Sequence, residues 1–145
     1  MISHPDPEKL NRQALKLLSA LAANDNVENY IVTRGSCPLI VSVINRFKGS
    51  ESVVAAGFSC ISALTLRSSS NAGVFYDCGA PIVMLDAMKQ FPKSHKTLRH
   101  ACRAIRNMAN HGVAVEAEAK AALRDLGLKV ELKEPWTGKS IALQN

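Results

Sequence analysis

The chain repeats itself. Lys16-Leu17-Leu18-Ser19-Ala20-Leu21 aligns with Ser59-Cys60-Ile61-Ser62-Ala63-Leu64, 43 residues on, and again with Arg103-Ala104-Ile105-Arg106-Asn107-Met108 after a further 44. Gly35-Ser36-Cys37-Pro38-Leu39 matches Gly79-Ala80-Pro81-Ile82, with one residue fewer in the second copy. A period of that length means one supersecondary unit per copy. Such a unit cannot bury its apolar face alone, so the copies must stack.

Within a period the pattern is helical throughout. Glu8 to Ala23 places Leu10, Ala14, Leu17, Leu18 and Leu21 on one side of a helix. Asn24-Asp25-Asn26 stops it and can cap the next one. Val27 to Arg34 is a short helix, and Gly35 is placed to close it in a left-handed turn. Pro38 suits the first turn of a medium helix that runs to about Phe47. Ser52 to Leu66 is a long helix. The order then recurs: a short helix from Asn71 to Cys78 closing on Gly79, a medium one from Pro81 to Gln90, and a long one from His95 to Asn110. No stretch alternates apolar and polar residues, so no sheet is expected.

Composition agrees with helix packing. The chain is 47% apolar but only 5% aromatic, so a core would be built from Ala, Leu, Ile, Val and Met. The four cysteines, Cys37, Cys60, Cys78 and Cys102, form no CxxC pair and sit among apolar neighbours, which reads as buried reduced thiols. The first fifteen residues are polar and hold two prolines, unlike a signal peptide, and no apolar run is long enough for a membrane span. An intracellular protein is expected, in the cytoplasm and also in the nucleus.

Charge is concentrated at one place. Between Met88 and Val115 there is no Asp or Glu, while Lys89, Lys93, Lys96, Arg99, Arg103 and Arg106 supply six positive charges, the net charge of the whole chain. The last four lie three to four residues apart and form a basic stripe on the long third helix. Such a patch favours acidic partners.

The repeated unit resembles the armadillo repeat. That family's pattern is a short first helix closing on Gly, a Gly-x-x-Pro second helix, and a long third helix with an Ala-x-x-Asn-like end. The likeness runs from about Leu10 to Met108 and implies an all-α, right-handed α-solenoid of armadillo-type repeats. Residues 1–145 then form one armadillo-like domain. Residues 8–23 are the third helix of a partial repeat, 26–66 and 70–110 are repeats, 113–127 are a partial terminal repeat, and 128–145 are an irregular tail. The Ala-rich stretch before Gly127 is about one turn longer than the earlier first helices, and Trp136 is expected to fold back onto the last helices. Leu15 and Leu18 are expected to form exposed apolar surface on the first long helix, since nothing precedes it to cover that face.

The resemblance also implies a concave groove lined by the third helices. Peptide-carrying family members often hold Asn and Trp there. Their Asn site falls on Ala20, Ala63 and Asn107, their Trp site on Lys16, Ser59 and Arg103, and the next turn on Asn24, Arg67 and His111. Only Asn107 keeps the family residue. With Lys16, Arg67, Arg99 and Arg103 in the groove, a basic peptide would be repelled. An acidic extended segment would instead meet arginine forks, with Asn107 binding its backbone. The expected peptide-binding set is therefore Lys16, Ser59, Arg67, Arg99, Arg103, Asn107 and His111.

Enzyme chemistry is not expected. Thr137-Gly138-Lys139-Ser140 matches only the end of a phosphate-binding loop, because Lys133 stands where the first Gly belongs. The spacing of His95, His100, His111 and Cys102 fits no zinc site. No serine has a nucleophile turn around it. Cys37 reads as a core residue. The expectation is a protein-interaction scaffold without cofactor or metal. Its alternatives are a nucleic-acid-binding module using the same patch, weakened by the lack of interleaved aromatics, and a structural fragment of a longer solenoid.

Overall fold

The computed structural model describes residues 6–109, 121, 124, 129–131 and 142–144. Among the described residues the fold is carried by seven helices: α1 (Pro7–Leu21), α2 (Asp25–Thr33), α3 (Ser36–Arg46), α4 (Glu51–Thr65), α5 (Ser69–Asp77), α6 (Ala80–Gln90) and α7 (His95–Met108). This is the short, medium, long order expected from the repeat, and the architecture is an all-α solenoid of armadillo type. The long helices α1, α4 and α7 form one layer, with α4 packed against both neighbours. Helices α2 and α5 pair with each other, and so do α3 and α6.

Helices α1, α2, α4, α5 and α7 start where a side chain satisfies free N–H groups, while α3 and α6 start at glycine. The Asn24 carboxamide oxygen accepts from the backbone of Asn26 and Val27. The hydroxyls of Ser50, Ser68 and Ser94 cap α4, α5 and α7 by accepting from Val53, Asn71 and Thr97. Gly35 and Gly79 take φ values of 80° and 82° at the sharp corners between the short and medium helices. Only glycine enters that left-handed region without strain.

The core follows the repeat. Ile40, Ile44, Phe58, Ile61, Leu64, Phe75, Met84, Met88, Leu98, Ile105 and Met108 are fully buried, each contributing about 1.5–3 kcal/mol through lost water contact. Gly57 lets α3 reach α4, because a methyl group there would overlap the Cγ1 and Cδ1 atoms of Ile44.

Polar links tie each repeat to the next. Arg67 donates to Asp25 at 2.7 Å and to the carbonyls of Ala22 and Ala23 at the end of α1. Asn71 donates to the buried carboxyl of Glu28 at 3.2 Å and to Leu64 of its own repeat. Asn107 donates to Ser62 and Thr65. The links that cross between repeats span 42–45 residues, so each unit touches its neighbour, as a solenoid requires.

Two expectations change. Leu15 is buried, at 3% exposure, and Leu18 packs against the core. The apolar stripe left open on α1 is Leu10, Leu17 and Leu21, at 57%, 60% and 44%. Helix α4 covers the face that holds Leu15, and among the described residues nothing covers the other. The tail also contains a sheet. Strand β1 (Lys129–Glu131) pairs antiparallel with β2 (Ala142–Gln144), Val130 opposite Leu143. Three-residue strands are too short for alternation to show in a sequence. Trp136, Gly127 and most of the expected terminal helix lie outside the described residues, although Ala121 and Arg124 are helical.

Candidate basic groove

The layer of long helices is concave where α1 and α7 rise on either side of α4. A cavity of about 250 Å³ lies there. Arg12, Lys16 and Ser19 line it from α1, Ser52, Ala55, Ala56 and Ser59 from α4, and Lys96 and His100 from α7. The floor is made of small residues, so the neighbouring side chains stand above it. The walls carry one guanidinium, two ammonium groups and an imidazole, and no carboxylate is among the lining residues.

The Arg12 guanidinium is held in place. Its Nη1 donates to the Ser52 hydroxyl at 3.2 Å. The Ser50 hydroxyl gives its proton to Glu8 and lies 3.3 Å from that of Ser52. With the Ser50 proton already committed, Ser52 donates to Ser50 and accepts from Arg12. A rail of two hydroxyls thus connects Glu8, at the rim, to the arginine inside the groove.

His100 has its pKa lowered. Burial comes first among the causes, followed by the charges of Arg103, Lys96 and Arg99. Both effects disfavour the charged imidazolium.

The expected site residues divide into groups. Lys16 and Ser59 line the cavity. Arg99 and Arg103 are exposed on α7 and stand near His100. Arg67 lies outside the cavity lining, with its guanidinium on Asp25 and the end of α1. The Asn107 carboxamide nitrogen points its hydrogen bonds at α4, to Ser62 and Thr65. His111 lies outside the described residues. Sequence reasoning missed Arg12 and His100 as groove residues and placed Lys96 only in the stripe. Lys96 and His100 fall 44 residues after Ser52 and Ala56, so the same repeat alignment could have found them.

Comparison with known proteins supports the architecture. The chain is 38% identical, over a 161-residue alignment, to the Armadillo repeat-containing protein 6 homolog of Drosophila melanogaster. That similarity agrees with the armadillo-type architecture of the helices. The alignment takes in 95% of this chain and 35% of that relative, so the chain spans about a third of the relative's length. No protein-family model and no solved structure matches it. Among the described residues no helix is long and apolar enough to cross a membrane, and no cluster of His, Cys, Asp and Glu is arranged to hold a metal.

Proposed function

We propose that this armadillo-repeat chain is a protein-interaction module whose concave groove takes an acidic, extended segment of a partner. The observation that carries the reading is the groove wall: Arg12, Lys16, Lys96 and His100 face one cavity with no carboxylate among them. Arg99 and Arg103 extend the positive surface along α7. An acidic segment lying across the three long helices would meet cations from α1 and α7 at once, which favours it over a neutral one.

The test is binding of acidic peptides to the wild-type chain and to a double charge reversal in the cavity wall, Lys16→Glu with Lys96→Glu. Affinity should fall with added salt and drop at least about tenfold in the variant, as expected for lost charge pairs. Unchanged affinity in the variant would remove the groove from the function.

A second reading rests on a different surface. Leu10, Leu17 and Leu21 form an open apolar stripe on α1, the kind of face that a further helix pair covers in a stacked array. In that reading the chain's partner is another solenoid segment. A dilution series on sizing chromatography separates the two. Self-association that disappears in a Leu10→Gln, Leu17→Gln double variant supports the stacking surface, and a stable monomer at all concentrations counts against it.

A further inference from the structure

We propose that the cavity between α1, α4 and α7 is a phosphate-recognition site, which takes the phosphate monoester of a phosphoserine or phosphothreonine on the partner's extended segment. This rests on the acidic-segment reading above and specifies the group that occupies the pocket.

The number of donors is the first argument. Arg12, Lys16, Lys96 and His100 share a cavity of about 250 Å³ with the hydroxyls of Ser19 and Ser59. A carboxylate has two oxygens on one side of a carbon and can use only part of such a ring. A phosphate monoester presents three terminal oxygens, spread in three directions, and about two negative charges. It can be met from α1, α4 and α7 together.

The preparation of Arg12 is the second. One of its N–H groups is spent on Ser52, and the serine rail to Glu8 fixes where the guanidinium sits. An arginine immobilised before the ligand arrives loses less side-chain freedom on binding, and its remaining donors are free to address an anion. Glu8 and Glu51 are the nearest acids on α1 and α4 by sequence, and neither lines the cavity.

The floor is the third. Ala55 and Ala56 keep the base of the pocket low, so a tetrahedral group can descend between the cations while the peptide that carries it stays above. No Phe, Tyr or Trp is among the lining residues, and His100 is the one ring there. A nucleic-acid strand would gain backbone contact there but little base stacking, and a single pocket of this size suits one phosphate better than a regular row of them.

The experiment measures retention of the folded chain on three peptide arrays. The arrays are identical except at a fixed central residue, which is serine, glutamate or phosphoserine between randomised positions. The phosphoserine array should retain the chain about tenfold more strongly than the glutamate array, a difference typical of added charge-assisted hydrogen bonds. Lys16→Glu with Lys96→Glu should erase that preference, while Arg46→Glu on α3 should keep it; thermal melting checks that each variant is folded. Inorganic phosphate should compete with the phosphoserine array. Equal retention on the glutamate and phosphoserine arrays, both above serine, would overturn the phosphate site and leave the acidic groove standing. Equal retention on all three would overturn both. Tighter binding of a single-stranded oligonucleotide than of any phosphoserine peptide would assign the pocket to nucleic acid and overturn the proposal.

Discussion

The carboxamide nitrogen of Asn107 donates to the hydroxyl of Thr65 at 3.1 Å and to the carbonyl of Ser62 at the same distance. Thr65 in turn donates to Ile61 at 2.8 Å. Helix α7 is thereby tied to the exposed carbonyl end of α4 across the repeat boundary. Both amide protons of Asn107 are used inside the protein. Asn107→Ala should lower stability by about 1–2 kcal/mol, the usual consequence of losing such bonds. A double-mutant cycle with Thr65→Val should return a coupling of about 1 kcal/mol. Chemical denaturation measures both, and strictly additive effects would mean that the two residues act separately.

Gly57 sits where α4 meets α3. A Cβ would overlap Ile44, whose side chain is fully buried and has no open space to move into. In an exposed helix Gly→Ala is stabilising by about 1 kcal/mol. Here the sign should reverse, and Gly57→Ala should cost about 1–3 kcal/mol through overpacking. A second substitution, Ile44→Ala, should make Gly57→Ala tolerable again by opening the space. Thermal melts of the three variants decide it: a stabilised Gly57→Ala would mean that α3 can shift away at little cost.

Much of this arrangement was legible beforehand, and the exceptions share a cause. Gly35 and Gly79 stood at equivalent positions and both take positive φ, because a helix corner demands it wherever the repeat recurs. Leu98, Cys102 and Ile105 recur at helical spacing opposite the basic stripe of α7 and are buried. Helix α1 was harder. Leu10, Leu17 and Leu21 form one stripe and Leu15 and Leu18 another, and periodicity alone does not say which stripe meets α4. The same limit applies to Arg67 and Asn107. Their places in the repeat were readable, Asn107 on α7 and Arg67 just past the end of α4, but a side chain there can reach solvent or cross to the neighbouring helix, and these two cross. The β1–β2 pair is a contact between segments far apart in the tail, with too few residues for a periodic signal.

The thiols should react unequally. Burial pushes Cys60 and Cys102 up to about 12, and Cys37 reaches about 12 through burial and the neighbouring Cys78. Thiolate is the reactive form, so these three are inert at pH 8 while folded. Cys78 is the partly exposed member of the four. A disulfide-exchange reagent should modify about one thiol per chain quickly, with mass spectrometry finding the label on Cys78, and the rest only on unfolding. Rapid labelling of Cys60 or Cys102 would show that the layer of long helices opens more readily than its burial implies.

Glu28 makes the stability pH-dependent. The residue is 1% exposed between α2 and α5, and burial raises its pKa above the ordinary carboxylate value, although the Asn71 hydrogen bond and the Arg67 charge pull the other way. Arg67 lies 3.6 Å away with a side chain 46% exposed, so water screens much of its attraction. The native state therefore takes up a proton before the unfolded chain does. Stability should rise as the pH falls from the native pKa of Glu28 toward the ordinary value, and its cost as a charged group is present above that window. Glu28→Gln keeps an oxygen for Asn71 and removes the charge. At pH 7 it should match or exceed the wild type, within about 1 kcal/mol, and its advantage should shrink on acidification. Urea midpoints of both proteins at pH 7 and pH 5 test this. A Gln variant that is markedly weaker at pH 7, and that gains on the wild type as the pH falls, would show that the ion pair with Arg67 outweighs the burial of the carboxylate.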